Sequence, residues 1–268
     1  MEKKHLNLGC GNRYHKEWTN IDFISNSEHV IECNLLNGIP FSDNEFDFVY
    51  TSHVLEHFSK KDGSFIIQEC YRVLKKGGIL RIIVPDLEQL ALEYIKSLNS
   101  VLKDKSLIND ANYKWSVIEL IDQLVREESG GEMLKYWSQK EIINESKVID
   151  RSGDEYVKAR KSILSTKINT NVLEEVTWRS KIKSFLFSKL RINAKNLEIG
   201  NFVNGGEVHK WMYDRYSLSI LLNESKFIES KIQSSETSYL INWNEYLYLD
   251  VENGKTRKPD SIIIEAIK

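Results

Sequence analysis

Leu6-Asn7-Leu8-Gly9-Cys10-Gly11-Asn12 decides how this chain is read, because an apolar strand runs straight into two glycines one residue apart. Asp22 follows 11 residues after Gly11, at the end of a second short apolar segment. A buried strand ending in closely spaced glycines lets a ligand press against bare backbone. An acid ending the next strand can take up the two hydroxyls of a ribose. The pattern marks the entrance of a nucleotide-type site, although a Gly-x-Gly pair also occurs in plain strand-to-loop turns. The dinucleotide fingerprint wants a third glycine where Tyr14 stands, and an acid about twenty residues on, later than Asp22. Both departures count against NAD or FAD. They also confine any first helix to Asn12–Glu17, a turn or two.

Composition bounds the class. The 268 residues fit one large domain, or one domain carrying a sizeable insertion. Hydrophobic content of 41% with 28% charged residues is that of a soluble globular protein, and a net charge of -2 argues against nucleic acid as a partner. Cys10, Cys33 and Cys70 have neither CxxC spacing nor zinc-like grouping with histidine, so they read as buried thiols in a reducing compartment. The first strand follows Met1 almost at once, and no apolar run approaches the roughly 18 residues that span a bilayer. The expectation is a cytoplasmic protein without a transmembrane segment.

Around the glycine turn, strand and helix signals alternate, which argues for a parallel sheet faced by helices. Strands are expected at His5–Leu8, Thr19–Phe23, His29–Cys33, Phe46–Thr51 and Ile79–Val84. A helix over Ser64–Lys75 should stop at Lys75-Lys76-Gly77-Gly78, where glycine and cations give a C-terminal signal. From about Glu88 to Lys195 the periodicity is helical, broken at Gly130-Gly131 and Arg151-Ser152-Gly153. That is too long for a connection within a compact fold, so it reads as a helical insertion or lid. A helix over Asp214–Asn223 then precedes strand signals at Phe227–Gln233, Ser238–Val251 and Ser261–Ile267, the ingredients of a terminal antiparallel pair.

Five motifs in this order resemble the class I S-adenosylmethionine-dependent methyltransferases: LNLGCGN, NID, GIPFSDNEFDFVYTSHVLEHF, ECYRVLKKGGILRIIVPD and GEVHKWMYDRYSLSILL. Within that class the chain looks most like bacterial methyltransferases of surface-polysaccharide biosynthesis. The resemblance implies a Rossmann-like α/β fold, mostly parallel with a terminal antiparallel strand and a large helical insertion after strand 5. It divides the chain into 1–90 (first part of the core), 91–198 (insertion or lid) and 199–268 (completion of the sheet). It also implies S-adenosylmethionine as cofactor and a small-molecule or glycan acceptor. Gly9, Cys10 and Gly11 would pass under the methionine and ribose, and Asp22 would accept from the ribose hydroxyls. Asn34 and Leu35 would flank the adenine, with Ser52 and His53 near the sulfonium. Asn7 and Asn34 stand where the family more often has acids; asparagine keeps hydrogen-bonding capacity and loses charge.

Methyl transfer to a hydroxyl needs a base, and open α/β sheets hold ligands at the carboxyl ends of their strands. His53, Glu56 and His57 share one face if a helical turn follows strand 4, where the carboxylate would raise the histidine's basicity and fix its tautomer. His57 could equally pack beneath Phe58. Asp86 follows strand 5 and is a base candidate or a helix cap. His209 is a base candidate or a surface histidine, with Tyr213 and Asp214 beside it or starting the next helix. No His/Cys/Asp/Glu grouping has metal-site spacing, so no metal is expected. Residues 179–195 hold six cations and no acid around Phe185-Leu186-Phe187, a stretch that fits peripheral contact with anionic lipid or phosphorylated substrate, or a solvated helix face. A homodimer is left open. Three other readings compete. They are transfer to an amine, carboxylate or phosphate-containing metabolite, a methyltransferase-like binding module without turnover, and an NAD-dependent oxidoreductase whose Tyr-x-x-x-Lys set is missing from its expected place.

Overall fold

All four residues of β1 (His5–Leu8) are buried, because the strand lies inside a seven-stranded sheet between two parallel neighbours. Those neighbours are β2 (Thr19–Asp22), in register from Leu6↔Thr19, and β4 (Phe46–Ser52), in register from His5↔Phe48. β3 (Val30–Glu32) lies outside β2, and β5 (Leu74–Pro85) lies on the far side of β4. β9 (Ser261–Ile267) runs antiparallel to both β5 and β6 (Ile228–Gln233). The order β3-β2-β1-β4-β5-β9-β6 is the expected Rossmann-like sheet with a reversed strand near one edge. The nearly continuous apolar run Phe46–Thr51 becomes a strand buried on both faces, as parallel packing requires. This computed structural model describes residues 3–25, 27–169 and 194–268.

The chain forms two compact units, 1–93 with 210–268 and 94–209. In the first, α1 (Lys60–Val73) begins where Ser59 accepts the Asp62 N–H at 3.2 Å. It ends earlier than the Gly77-Gly78 signal suggests. Asn44 and Glu45 donate to the Arg72 and Val73 carbonyls, the pairing Phe46↔Leu74 starts at once, and Lys75–Gly78 become part of β5. α2 (Leu87–Lys103) runs on into the second unit. There α3 (Leu107–Val125), α4 (Gly131–Trp137) and α5 (Glu145–Asn169) pack round Trp115, Tyr136, Trp137, Val148 and Tyr156. α5 is broken at Gly153 (φ 57), where the sequence marks a break, and α6 spans Ala194–Asn204. The expected basic stretch falls on residues 179–193, outside the described residues, and on the start of α6. Back in the first unit, α7 (Arg215–Glu224) starts at a capping box built by Asp214 and Ser217. Among the described residues no helix is long and apolar enough to cross a membrane.

Two expectations fail for identifiable reasons. Residues Asn12–Glu17 form no helix; Arg13 instead donates to the Tyr248 carbonyl and the Glu252 carboxylate. The aromatic run 238–251 is not a strand: Trp243–Leu249 is a 3-10 helix, followed by the small hairpin β7 (Val251–Glu252) and β8 (Lys255–Thr256). The fully buried Arg81 side chain anchors both ends of this segment. It donates to Asp250 (2.6 Å), Glu265 (2.8 Å) and the carbonyls of Ser234 and Thr237, and lies 4.3 Å from the Trp243 ring centroid.

The aromatic side chains of that segment cover one face of the sheet with Trp18, Phe48 and Tyr50. His5 meets Trp18, Phe48 and Tyr246 edge-on at 5.0, 5.8 and 5.5 Å, and burial pushes its pKa down to about 4 from 6.5. The folded state holds His5 neutral while the unfolded chain takes a proton, so its contribution is present above pH 6.5 and is lost as pH falls toward about 4. In urea unfolding across that window, His5→Phe should lose less stability on acidification than the parent. Equal acid sensitivity of the two proteins would remove His5 as the cause.

Candidate active site

At the end of β1 the backbone turns through Gly9 (φ 60) and Gly11 (φ 52), both in the left-handed region. A Cβ on Gly9 would lie 2.3 Å from Val54 Cγ2, so the loop after β4 closes directly on bare backbone. At Gly11 an added Cβ meets nothing within 4 Å, which leaves open space above the turn. Asp22 braces it: one carboxylate oxygen accepts the Gly11 N–H at 2.7 Å and the other accepts Ile24 N–H at 3.3 Å. Each oxygen keeps a second lone pair, so the half-exposed carboxylate can still accept from a ligand diol.

The flanking residues are placed by the same turn. Asn7 is buried and donates to the Arg13 carbonyl at 3.3 Å, which directs it to the loop. Burial and the neighbouring Asp22 charge push the Cys10 thiol up to about 12, so it stays protonated and packs as a small apolar group. Asn34 accepts from the Leu36 N–H at 3.0 Å and caps the 3-10 turn Leu35–Asn37, with Leu35 buried and Leu36 exposed. Phe23 and Ile24, 65% and 61% exposed directly after Asp22, put apolar surface beside this edge that the sequence reading did not single out. Their signal was an apolar pair following the strand-terminal acid.

Across from this turn, Ser52 ends β4 opposite Ile83 and His53 takes a left-handed backbone (φ 56). Its N–H donates to the Ile83 carbonyl at 2.9 Å. His53 Nδ1 lies 3.1 Å from Glu56 Oε1, and Glu56 is fully buried. The anticipated helical turn is a 3-10 turn, Leu55–His57, yet it still joins residues 53 and 56. His57 is half-buried in that turn, its N–H on the Val54 carbonyl at 3.1 Å. Lys210 and Trp211 donate to the Glu56 carbonyl at 2.7 and 3.2 Å.

The other candidates are bound up in local structure. Asp86 caps α2, accepting the Glu88 N–H at 3.0 Å and the Gln89 N–H at 3.4 Å, and burial holds its carboxyl above the ordinary carboxylate range. Tyr213 bridges Asp86 through its backbone, and burial with the Glu56 charge pushes its hydroxyl up to about 12. Asp214 caps α7. His209 is the last residue of the second unit, buried, with its N–H on the Gln123 carbonyl at 2.9 Å. The structure thus gathers Asn7, Gly9, Cys10, Gly11 and Asp22 at one turn, with His53 and Glu56 joined to it through Val54.

Residues 6–82, which hold this turn, Asp22 and the His53–Glu56 pair, match the family described as a methyltransferase domain. Over 139 residues the chain is 24% identical to the phosphoethanolamine N-methyltransferase of Plasmodium falciparum, covering 44% of this chain and 52% of that protein. The chain therefore spans about half the length of the curated relative it matches. Among solved structures it is similar to an S-adenosylmethionine-dependent methyltransferase from Archaeoglobus fulgidus, with TM-score 0.39, 13% identity, and 99% and 86% of the two chains covered. It is also similar to a Burkholderia thailandensis 1,6-didemethyltoxoflavin-N1-methyltransferase with bound S-adenosylhomocysteine, with TM-score 0.27, 16% identity, and 31% and 46% covered.

The two glycines should respond differently to substitution. Gly9→Ala combines backbone strain with a collision against Val54 and should cost about 2–4 kcal/mol in urea unfolding. Gly11→Ala carries strain alone and should cost about 1–2 kcal/mol. Equal costs would mean that Val54 does not constrain the turn.

Proposed function

We propose that the chain is a class I S-adenosylmethionine-dependent methyltransferase that O-methylates a sugar, a reading supported by the match of residues 6–82 to a methyltransferase domain. The sugar would be phosphorylated or nucleotide-linked, within surface-polysaccharide (capsule or O-antigen) biosynthesis. The observation that carries the hydroxyl-acceptor reading is the His53 imidazole set 3.1 Å from the buried Glu56 carboxylate, one residue past a strand end beside the glycine turn. The cofactor's fit rests on three features of that edge: open space over Gly11, a carboxylate with lone pairs to spare, and exposed Phe23 and Ile24 beside it. A nucleoside presents the matching diol and flat apolar base. In this reading Gly9, Cys10 and Gly11 pass under the cofactor, Asp22 accepts from the ribose, Asn34 and Leu35 flank the adenine, and Ser52 borders the methionine end.

When bound, S-adenosylmethionine supplies a methyl group already activated on a sulfonium. The residues of the chain then have two tasks. One is alignment, which contributes on the order of 7–11 kcal/mol in oriented reactions. The other is removal of the acceptor's proton, which contributes about 10²–10⁴-fold. His53 takes that proton and Glu56 stabilises the imidazolium that results. Asp86, occupied by two helix N–H donors, serves as a cap in this account.

A second reading, an amine acceptor, is favoured by the phosphoethanolamine N-methyltransferase likeness. A protonated amine must also lose a proton before its nitrogen attacks, so the same imidazole serves. A screen with S-adenosylmethionine against nucleotide sugars and phosphoethanolamine, following S-adenosylhomocysteine release, separates the two.

Calorimetric titration with S-adenosylmethionine, S-adenosylhomocysteine and NAD should show binding of the sulfur cofactors alone. Asp22→Ala should weaken it by about 10–100-fold, the worth of a hydrogen bond to a charged group. Unchanged affinity would overturn the ribose assignment. His53→Ala should bind normally and lose about 10²–10⁴-fold in turnover. His57→Ala and His209→Ala serve as comparisons, and a loss in either equal to that of His53→Ala would move the base there.

A further inference from the structure

His53 has a second partner that no local spacing announces: Ser261 Oγ, at the start of β9, lies 3.0 Å from Nε2 across 208 positions of chain. The charge of the Glu56 carboxylate, 3.1 Å from Nδ1, favours a proton on that nitrogen, which leaves a lone pair on Nε2. In that tautomer the Ser261 hydroxyl can donate to the lone pair. It also faces a competitor, because Asp260 Oδ1 lies 3.1 Å from the same oxygen. One hydrogen serves two acceptors, while the backbone beneath them is fixed. Ser261 pairs with Pro85 of β5, its N–H donates to the Lys258 carbonyl at 3.3 Å, and the Asp260 carbonyl accepts the Asp86 N–H at 3.0 Å. Only the hydroxyl is left to turn.

We propose that Ser261 is a positioning residue for His53 and that its hydroxyl exchanges between His53 Nε2 and Asp260. While it donates to Nε2, it holds the neutral imidazole in the Nδ1–H tautomer and in its place over the end of β5. When the Ser261 side chain rotates about its Cα–Cβ bond, Oγ itself moves off Nε2 and leaves that lone pair to an acceptor hydroxyl. The acceptor's O–H bond then breaks, its electron pair stays on oxygen, and an N–H bond forms at Nε2. The charge gained by the ring is balanced by Glu56, and Ser261 keeps its own proton throughout. Hydroxyl, imidazole and carboxylate stand here in the order of a hydrolytic triad. The Ser261 N–H, which such a triad aims at an oxyanion, is instead committed to Lys258. The acceptor step rests on the methyltransferase reading; the Ser261–His53 hydrogen bond does not.

The test is long-range ¹H–¹⁵N correlation on the full chain with ¹⁵N-labelled histidine, His53→Gln identifying its signals among the 6 histidines. The parent should show a protonated Nδ1 and an Nε2 displaced from the position of an unbonded lone pair. Ser261→Ala should move Nε2 to that unbonded position with the Nδ1 proton kept, Ser261→Thr should restore it, and Asp260→Ala should retain the parent signature. An Nε2 signal identical in the parent and Ser261→Ala overturns the proposal. S-adenosylhomocysteine titrated into the same samples separates the two readings. If the parent does not bind it, the methyltransferase reading fails and the Nε2 result still stands. If it binds with equal affinity to parent and Ser261→Ala while Nε2 does not move, the positioning role alone is lost.

Discussion

The candidate site depends on the space left by one missing side chain. β1 and β4 are neighbours in register from His5↔Phe48 to Leu8↔Thr51, so both chains leave the sheet at the same edge and compete for the same volume. Gly9 resolves the competition by offering no Cβ, and Val54 fills the place where it would be. Val54 then anchors the next turn, its carbonyl accepting the His57 N–H, and that turn carries Glu56 under the His53 ring. A side chain at position 9 would displace the loop that holds both the imidazole and its carboxylate. The strand-order reversal between β1 and β4 opens a crevice, as it does in open α/β sheets generally.

A second constraint acts from the opposite face. Arg81 is fully buried in β5 among Asp250, Glu265 and two backbone carbonyls, and Tyr50 donates to the other Asp250 oxygen at 2.7 Å. A buried guanidinium is costly to desolvate, so such a cluster is weak evidence for stability as such. Its effect here is on placement. It fixes the segment 234–250 against the sheet, which covers the aromatic face and supplies the Tyr248 carbonyl to Arg13 beside the glycine turn. With Glu265 in β9 as one of its partners, it also ties the strand that carries Ser261 to the strand beside His53.

Much of this was legible in the sequence, and for a common reason. β1, β4 and β9 announced themselves as apolar runs because each is buried on both faces, and the Gly9–Gly11 turn and Asp22 lie within one βαβ-sized stretch. The His53–Glu56 pair was readable from a spacing of three, which a 3-10 turn satisfies as well as an α-helical one. What escaped reading was set by distant partners. The alternating aromatics of 238–251 suit a strand locally, whereas the segment forms a 3-10 helix and its neighbour Asp250 is held by Arg81, more than a hundred residues earlier. Gly77 and Gly78 look like a helix end, yet the pairing of Leu74 with Phe46 takes over before they are reached. Ser261 reaches His53 through strand order alone, information that no window of sequence contains.

The backbone at His53 shows which requirement prevailed at this edge. A left-handed conformation costs a residue with a Cβ about 1–2 kcal/mol, and glycine would adopt it without strain. The chain uses glycine freely at this edge, at positions 9 and 11, where the conformation is similar. At position 53 it accepts the strain and keeps an imidazole, held on one side by a carboxylate and on the other by a hydroxyl. Strain kept in a residue whose side chain is fixed at both nitrogens is what a chemical role for that ring would require. A packing role would be met by any residue able to fill the volume, and nothing in packing calls for two polar anchors on one ring.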